Sequence, residues 1–176
     1  MNTNLKKLVL AMGAMGAMAM AGGALAATDT ADLAVSATVE NACAIGPGAL
    51  AFGTLGLEVN TGLGTVTAAN HDADSGATIS IACTLGASAA ITAGAGSNAA
   101  GAVRNMISGS DLLAYELYTD AGRGTVLNAT NSIGYTGTGA ATTDTVIYGR
   151  ITGTQLAAAK KGSYADTVAM TITYTP

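Results

Sequence analysis

The 176-residue chain has few charged or aromatic side chains: 10% of its residues are Asp, Glu, Lys or Arg, and it contains one Phe, one His and no Trp. Seven basic residues stand against eleven acidic ones. Because nucleic-acid binding requires clustered Lys and Arg to neutralise phosphates, this composition argues against a nucleic-acid partner. The scarcity of His, Cys and carboxylate groups also argues against an enzyme, since catalysis needs such groups to converge.

The chain begins with the pattern of a secretory leader. Lys6-Lys7 forms a basic start, Leu8 to Met20 is apolar, and Ala24 to Ala26 supplies small residues for cleavage before Ala27. The alternative is a membrane anchor, but glycines interrupt a run that is shorter than the roughly 20 strongly apolar residues a span needs. We therefore predict a signal peptide over residues 1–26 and export of the remainder, which keeps five basic and eleven acidic residues.

Both cysteines, Cys43 and Cys83, lie in the exported part. An even cysteine count in an oxidising compartment favours one disulfide. The alternatives are two buried free thiols, or a metal or redox pair. Neither cysteine has a C-x-x-C neighbour or a nearby His, which disfavours a metal or redox role.

Short apolar or alternating runs, separated by Gly, Asn, Asp and Ser clusters, make up most of the mature chain. Many short strands with turn signals between them are typical of an all-β sandwich. The predicted strands are Leu50–Leu57, Thr78–Cys83, Ala89–Ala93, Val103–Ile107, Leu113–Thr119, Thr125–Leu127, Asp144–Ile151 and Asp166–Tyr174. Gly94–Gly101 and Thr136–Thr143 have loop composition, and Thr154–Lys161 is predicted to form one helical turn that begins with a capping Thr.

Period-two alternation marks the two ends of the mature chain. The last run places four side chains on one face of a strand: Val168, Met170, Ile172 and Tyr174. A second alternating run lies just after the leader, with Leu33, Val35, Ala37 and Val39 on one face. A spare strand at one end and a strand vacancy at the other are what a polymer subunit needs.

Three further motifs invite a functional interpretation. His71 lies beside Asp72 and Asp74, a possible metal set, but on a Gly-rich segment this pattern is more often a solvated turn. Gly94 to Ala99 matches a relaxed dinucleotide-binding pattern, yet no helix is predicted after it to receive a pyrophosphate, so we interpret it as a hairpin loop. Tyr164, just before the last strand, is a candidate tyrosine corner, with an ordinary core or edge Tyr as the alternative. No metal or cofactor is therefore predicted.

Several segments in order resemble the spore coat protein U family, which includes the major pilins of archaic chaperone–usher pili. They are Asn41–Cys43, Leu50–Leu55, the second cysteine at the end of Thr78–Cys83, Leu113–Arg123, which is similar to L-x-Y-x-L-Y-x-D-x-x-R, and Gly162–Val168, which is similar to G-x-Y-x-D-T-[VL]. The Trp-Gly often found after the Arg is absent, and Gly124-Thr125 stands there instead. The resemblance covers nearly all of the mature chain.

The resemblance implies an incomplete immunoglobulin-like β-sandwich that lacks its last strand and is completed by an N-terminal donor strand from a neighbouring subunit. It implies a donor-strand extension over 27–41 and a sandwich domain over 42–176. A periplasmic chaperone lends a strand to the open groove, and an outer-membrane usher exchanges it for the extension of the next copy. The resemblance therefore implies that the last strand, with Val168, Met170, Ile172 and Tyr174, forms the edge of the acceptor groove.

The resulting hypothesis is a major pilus subunit that polymerises with itself and supports adhesion and biofilm formation. The alternative within the same fold is a secreted spore or cell-envelope coat protein. A third hypothesis, a periplasmic ligand-binding or hydrolytic domain, has no support beyond His71 and its neighbouring carboxylates, and the chain contains no Gly-x-Ser-x-Gly elbow.

Overall fold

A computed structural model describes residues 28–55, 58–60, 65–67 and 71–176, with only the backbone described for the two three-residue segments. The elements are β1 (Cys43–Ile45), β2 (Glu58–Asn60), β3 (Thr65–Thr67), β4 (Ala73–Cys83), β5 (Ser88–Ala93), β6 (Arg104–Ser108), β7 (Asp111–Tyr118), β8 (Ile133–Thr136), β9 (Gly139–Ile151), α1 (Gly153–Ala158) and β10 (Met170–Tyr174). The predicted leader lies outside the described residues. Within the described part, no helix is long and apolar enough to cross a membrane.

The strands form two principal antiparallel sheets. The larger sheet has the order β1-β4-β9-β7-β6, and the smaller has the order β10-β5-β8. Strands β2 and β3 pair only with each other among the described strands. The predicted all-β class is confirmed, with one six-residue helix as the exception.

The core follows from alternation within the strands. In β4 the buried side chains include Ile79, Ile81 and Cys83, while the intervening residues face outward. Ile91 of β5 and Leu117 of β7 lie in the same buried cluster. Fully burying one aliphatic side chain of this size contributes about 1.5–3 kcal/mol. The alternating pattern therefore drives the association of the strands.

The disulfide prediction is confirmed. Cys43 and Cys83 are bonded, with an S–S distance of 2.10 Å, and they are directly paired residues of β1 and β4. Strand β1 is only three residues long, so its backbone bonds to β4 are few. The cross-link therefore fixes β1, at the start of the sandwich domain, to the long strand β4.

Several sequence predictions of local structure were wrong. Helix α1 starts after Thr152, not Thr154, because Thr152 and Gln155 form a reciprocal capping box. Thr125–Leu127 contributes only an isolated bridge between Val126 and Tyr118.

Two further boundaries also differ from the prediction. Residues 50–55 form no strand. Thr136–Thr143, predicted as a loop, contains the end of β8 and the start of β9, because Gly139 and Thr143 pair with β4 in spite of their small and polar composition.

Replacing both Cys43 and Cys83 with Ala should lower the free energy of unfolding by about 4 kcal/mol in the chain-entropy model, because the bond closes a long loop. Urea denaturation of the oxidised chain and of the variant measures the difference. Wild-type protein reduced with dithiothreitol is the matched control and should unfold with the variant. Identical midpoints for oxidised and reduced wild type would contradict a stabilising role.

Candidate functional site: an open groove beside the last strand

A large apolar groove opens along the inner side of the sandwich. Its volume is about 1330 Å³. One wall is the segment 45–55, and the other is the segment 161–168 together with Met170. Core residues of the larger sheet form its floor, among them Ile79, Leu113 and Ile147. These floor residues are themselves only 3–5% exposed, so the apolar surface that the groove presents to solvent lies on its half-buried walls, among them Leu50, Phe52 and Val168.

The first wall lies close against the larger sheet. The Gly46 N–H donates to the Ser80 carbonyl at 2.7 Å, and the Ser75 hydroxyl donates to the Ala51 carbonyl at 2.6 Å. A Cβ on Gly149 of β9 would lie within 3.0 Å of Leu50 and Phe52. The absence of a side chain on Gly149 leaves room for the ends of the Leu50 and Phe52 side chains, which would have to shift around a Cβ.

The second wall leads into β10, where the sequence placed the acceptor edge. Val168, Met170, Ile172 and Tyr174 are half-buried and pack against the core cluster, whereas the intervening residues are exposed. The predicted two-faced pattern is confirmed, although the strand itself begins only at Met170. The role of these four residues as an acceptor edge stays a prediction.

The backbone of β10 is paired on one side only among the described strands, because β10 ends the order of its sheet. The Gly94 N–H donates to the Ala169 carbonyl at 2.9 Å, and Met170 is opposite Ala93. Since residues of an antiparallel pair bond to their neighbour alternately, Thr171 and Thr173 bond to β5. The N–H and C=O groups of alternate residues therefore point to the open edge; these are Met170, Ile172 and Tyr174.

A polar cluster fixes the chain just before β10. The Tyr115 hydroxyl donates to Asp166 Oδ2 at 2.7 Å, and Asp166 Oδ1 accepts from the Asn98 N–H at 3.1 Å and from its side-chain amide at 2.9 Å. Burial, reinforced by the hydrogen bond to Asp166, raises the pKa of Tyr115 above its usual range. Gly96 has a φ of +92°, and a Cβ there would clash with the Asp166 carboxylate. The Gly-rich segment 94–99 is therefore a loop that holds this carboxylate.

The tyrosine-corner prediction is confirmed by the hydrogen bond of Tyr164. Its hydroxyl donates to the Lys160 carbonyl, four residues upstream, at 2.9 Å. The bond closes the turn between α1 and the second wall, so it fixes the point at which this wall begins.

Arg104 is the principal structural residue that the sequence analysis missed. It is 2% exposed and pairs with Glu116. Its guanidinium also donates to the carbonyls of Gly94 at 2.9 Å and Leu127 at 2.8 Å. These bonds join β6, β7 and the end of β5. No local sequence motif predicts these bonds, because every residue has a backbone carbonyl that could accept them.

The predicted donor segment is exposed in the single chain. Leu33, Val35 and Val39 are 87%, 85% and 82% exposed, Ala37 is also exposed, and residues 28–42 form no strand. Immediately after them, the Asn41 side-chain amide donates to the Thr175 carbonyl at 2.7 Å. Exposed apolar side chains therefore recur on one face of the segment, at alternate positions from Leu33 to Val39.

The His71 region does not form a metal site in the described part of the chain, where no group of three or more possible ligands occurs. Asp72 and Asp74 instead pair with Arg150 at 3.1 and 2.7 Å, and Asp74 also pairs with Arg123 at 3.0 Å. The hydrogen bond from Arg150 holds the pKa of Asp74 below its usual value. The carboxylates are therefore occupied by two arginines.

Comparisons with known proteins give one clear family match. A profile of the Spore Coat Protein U domain matches residues 29–171. Protein U of Myxococcus xanthus is 36% identical over 184 aligned positions, which cover 97% of this chain and 98% of that protein. The family description names a coat component, which agrees with the prediction of a non-enzymatic protein.

Solved structures of similar fold include the crystal structure of the CsuC–CsuE chaperone–tip adhesion subunit pre-assembly complex from archaic chaperone–usher Csu pili of Acinetobacter baumannii. Its TM-score is 0.46 and its sequence is 18% identical. The match covers 77% of this chain and 40% of that chain. At this similarity the likeness says nothing about function.

Replacing Tyr115 with Phe should destabilise the domain by about 1.5–3 kcal/mol, because a buried hydrogen bond to a carboxylate is lost. Tyr118→Phe is the matched control, since Tyr118 lies on the outer face of the same strand. Urea unfolding of both variants measures the effect. Equal losses in the two variants would contradict the role assigned to the Tyr115–Asp166 bond.

The Asp74–arginine pairs should stabilise the fold only while Asp74 is ionised. Since its folded pKa is lowered, the stabilisation is present above the ordinary carboxyl pKa of about 4 and is lost as the pH falls through the lowered value. The melting temperature of wild type should therefore exceed that of Asp74→Asn at pH 7, and the difference should shrink steadily below pH 4. A difference that is unchanged at pH 2 would contradict this assignment.

Proposed function

Because the chain belongs to the Spore Coat Protein U domain family, we propose that it is an exported structural subunit that polymerises by donor-strand complementation. In this proposal the extension over 27–41 of one copy enters the groove of the next and completes its incomplete immunoglobulin-like sandwich. The observation that favours it most is the apolar groove beside the one-sided strand β10. An extended peptide that adds to such an edge gains main-chain hydrogen bonds and side-chain pockets together.

The donor segment and the acceptor edge have matching periods. Four donor side chains recur at every second position: Leu33, Val35, Ala37 and Val39. Four half-buried side chains recur in the same way along the edge: Val168, Met170, Ile172 and Tyr174. Each donor side chain would enter the groove while the donor backbone bonds to the outward groups of β10.

The free energy available for this exchange is substantial. Burying the three larger donor side chains would supply roughly 5–9 kcal/mol. Each new ladder hydrogen bond would add about 0.5–1.5 kcal/mol net. Part of this gain offsets the conformational entropy that is lost when a segment that forms no strand by itself becomes ordered. The remainder is enough to make a strong link without any cofactor or metal.

Export requires that the groove be covered before assembly. An open apolar groove beside unpaired backbone groups promotes aggregation. We therefore assign two further partners, a periplasmic chaperone that covers the groove and an outer-membrane usher at which the extension of the next copy replaces it. The assembled polymer would lie at the cell surface.

More specifically, we propose that the protein is the major shaft subunit of an archaic chaperone–usher pilus. Such a pilus would support adhesion and biofilm formation. A sandwich domain of small residues suits a unit that is repeated along a shaft. The alternative is a spore or cell-envelope coat protein, which the family description favours. Electron microscopy of cells that express the chain with its neighbouring genes distinguishes the two, because only a pilus gives thin fibres.

Replacing Val35 with Asp should abolish polymer formation, because a carboxylate in an apolar groove without a partner costs several kcal/mol. Ser36→Asp is the matched control: it adds the same charge one position away, on the opposite face of the donor strand, and should still polymerise. Native electrophoresis and electron microscopy of the purified mature chains measure the result. Chaperone binding should survive in both variants, because the chaperone engages the groove and not the extension.

Two outcomes would contradict donor-strand complementation. One is normal fibres from the Val35→Asp variant. The other is a stable folded monomer, without chaperone, after deletion of residues 28–41, because a domain that lacks a strand should need one from outside.

A further inference from the structure

Lys161 differs from the other basic residues of the mature chain. Four of the five have an acidic partner: Arg104 with Glu116, Arg123 with Asp74, Arg150 with Asp72 and Asp74, and Lys160 with Asp111. Lys161 is exposed and forms no ion pair with any described side chain. In a chain with so few cations, this one is available for an intermolecular contact.

Lys161 lies on the wall of the groove, at the start of the segment that leads to β10. Two contacts fix the residue before it. Lys160 pairs with Asp111 at 2.6 Å, and Tyr164 bonds to the Lys160 carbonyl at 2.9 Å. Since the wall runs from Lys161 to Met170 and β10 continues to Tyr174, Thr175 lies beyond the end of β10 that is farther along the chain from Lys161.

In its own copy, Glu40 lies near Thr175, just beyond the end of β10. It directly follows Val39, the last apolar residue of the donor segment, and it is exposed without an ion pair to a described side chain. The Thr84 hydroxyl donates to the Glu40 carbonyl at 3.2 Å and accepts from the Ala42 N–H at 3.0 Å. Glu40 is therefore held beside its own domain, next to the Asn41–Thr175 contact.

These positions decide which acidic residue of a second copy would meet Lys161. Each chain leaves its domain at the Thr175 end of its own groove, through Asn41. A second copy that enters from the free Lys161 end, antiparallel to β10, directs its Glu40 towards the Lys161 end of the wall and makes an open head-to-tail row. With Leu33–Val39 matched to Tyr174–Val168, its Glu40 lies opposite Thr167, on the side of Lys161. The opposite orientation would place Asp32 at Lys161 and would bring two domains together at the Thr175 end.

We propose that Lys161 at the groove mouth pairs with Glu40 of the incoming copy, and that this charge pair selects the orientation and register of the donor strand. The inference rests on the proposed function, because it requires that a second copy fill the groove. The partner is a second copy of this chain, and the recognised group is its carboxylate just beyond the apolar donor residues.

The expected contribution is modest and depends on salt. Exposed ion pairs typically change an equilibrium by about two- to fivefold. Their effect on association rates is greater at low ionic strength, because charge steering is screened within about 10 Å at 0.1 M salt. The pair would therefore act chiefly on the rate and accuracy of insertion, while the apolar side chains supply the affinity.

A charge exchange within the full mature chain tests the pair. Lys161→Glu alone, and Glu40→Lys alone, should each slow polymer growth by roughly three- to tenfold at low salt, since like charges then meet at every junction. The double variant Lys161→Glu/Glu40→Lys should return to within about twofold of wild type. Light scattering follows growth, and circular dichroism with a disulfide assay confirms that each variant is folded.

The matched control is Lys161→Glu/Asp32→Lys, which restores the same net charge at the other end of the donor segment and should stay slow. Rescue by Asp32→Lys to the same degree as by Glu40→Lys, or growth of Lys161→Glu at the wild-type rate, would overturn the proposal. Either result leaves donor-strand complementation itself intact if Val35→Asp still blocks growth. If Val35→Asp and wild type polymerise alike, the proposed function fails and the ion pair fails with it.

Discussion

The fold depends on one constraint: buried backbone groups must be hydrogen-bonded, and β10 lies at the edge of the core with partners on one side only among the described strands. The side chains of β10 already pack against the core cluster, so this edge borders apolar surface. Water can solvate the open N–H and C=O groups, but the apolar walls of the groove then stay in contact with it. A strand that bonds to the edge and covers these walls at once resolves both problems, and a second copy of the chain contains a segment of matching period.

The groove keeps its shape because polar contacts hold its surroundings. Arg104 joins the end of β5 to β6 and β7, and Tyr115 holds Asp166 immediately before the second wall. The disulfide holds the beginning of the first wall on β4. Each contact links segments that are distant in sequence, so the open groove is supported by a rigid frame. Under the proposed function, this arrangement suits a groove that receives a strand without rearrangement of its walls.

Much of this architecture was predictable because it depends on local periodicity. Alternation identified the two-faced strand from Val168 to Tyr174, and the cysteine count identified the disulfide. Other features were not predictable from local sequence. Arg104 reads as an ordinary surface cation, since its partners are backbone carbonyls that only the fold brings together. The pairing of Gly139–Thr143 with β4 likewise depends on a neighbouring strand, because its composition favours a loop.

The sequence by itself determined the all-β class, the disulfide partners and the faces of the terminal strand, because alternation acts over a few residues and the chain contains only two cysteines. Its family motifs also named Tyr115, Tyr164 and Asp166 without revealing what they do. Only the tertiary structure decided that Tyr115 bonds to Asp166, that residues 45–55 and 161–168 form the walls of one apolar groove, and that the Asn41 side chain meets Thr175 just beyond β10. These are relations between segments far apart in the chain, and the packing of the two sheets fixes them.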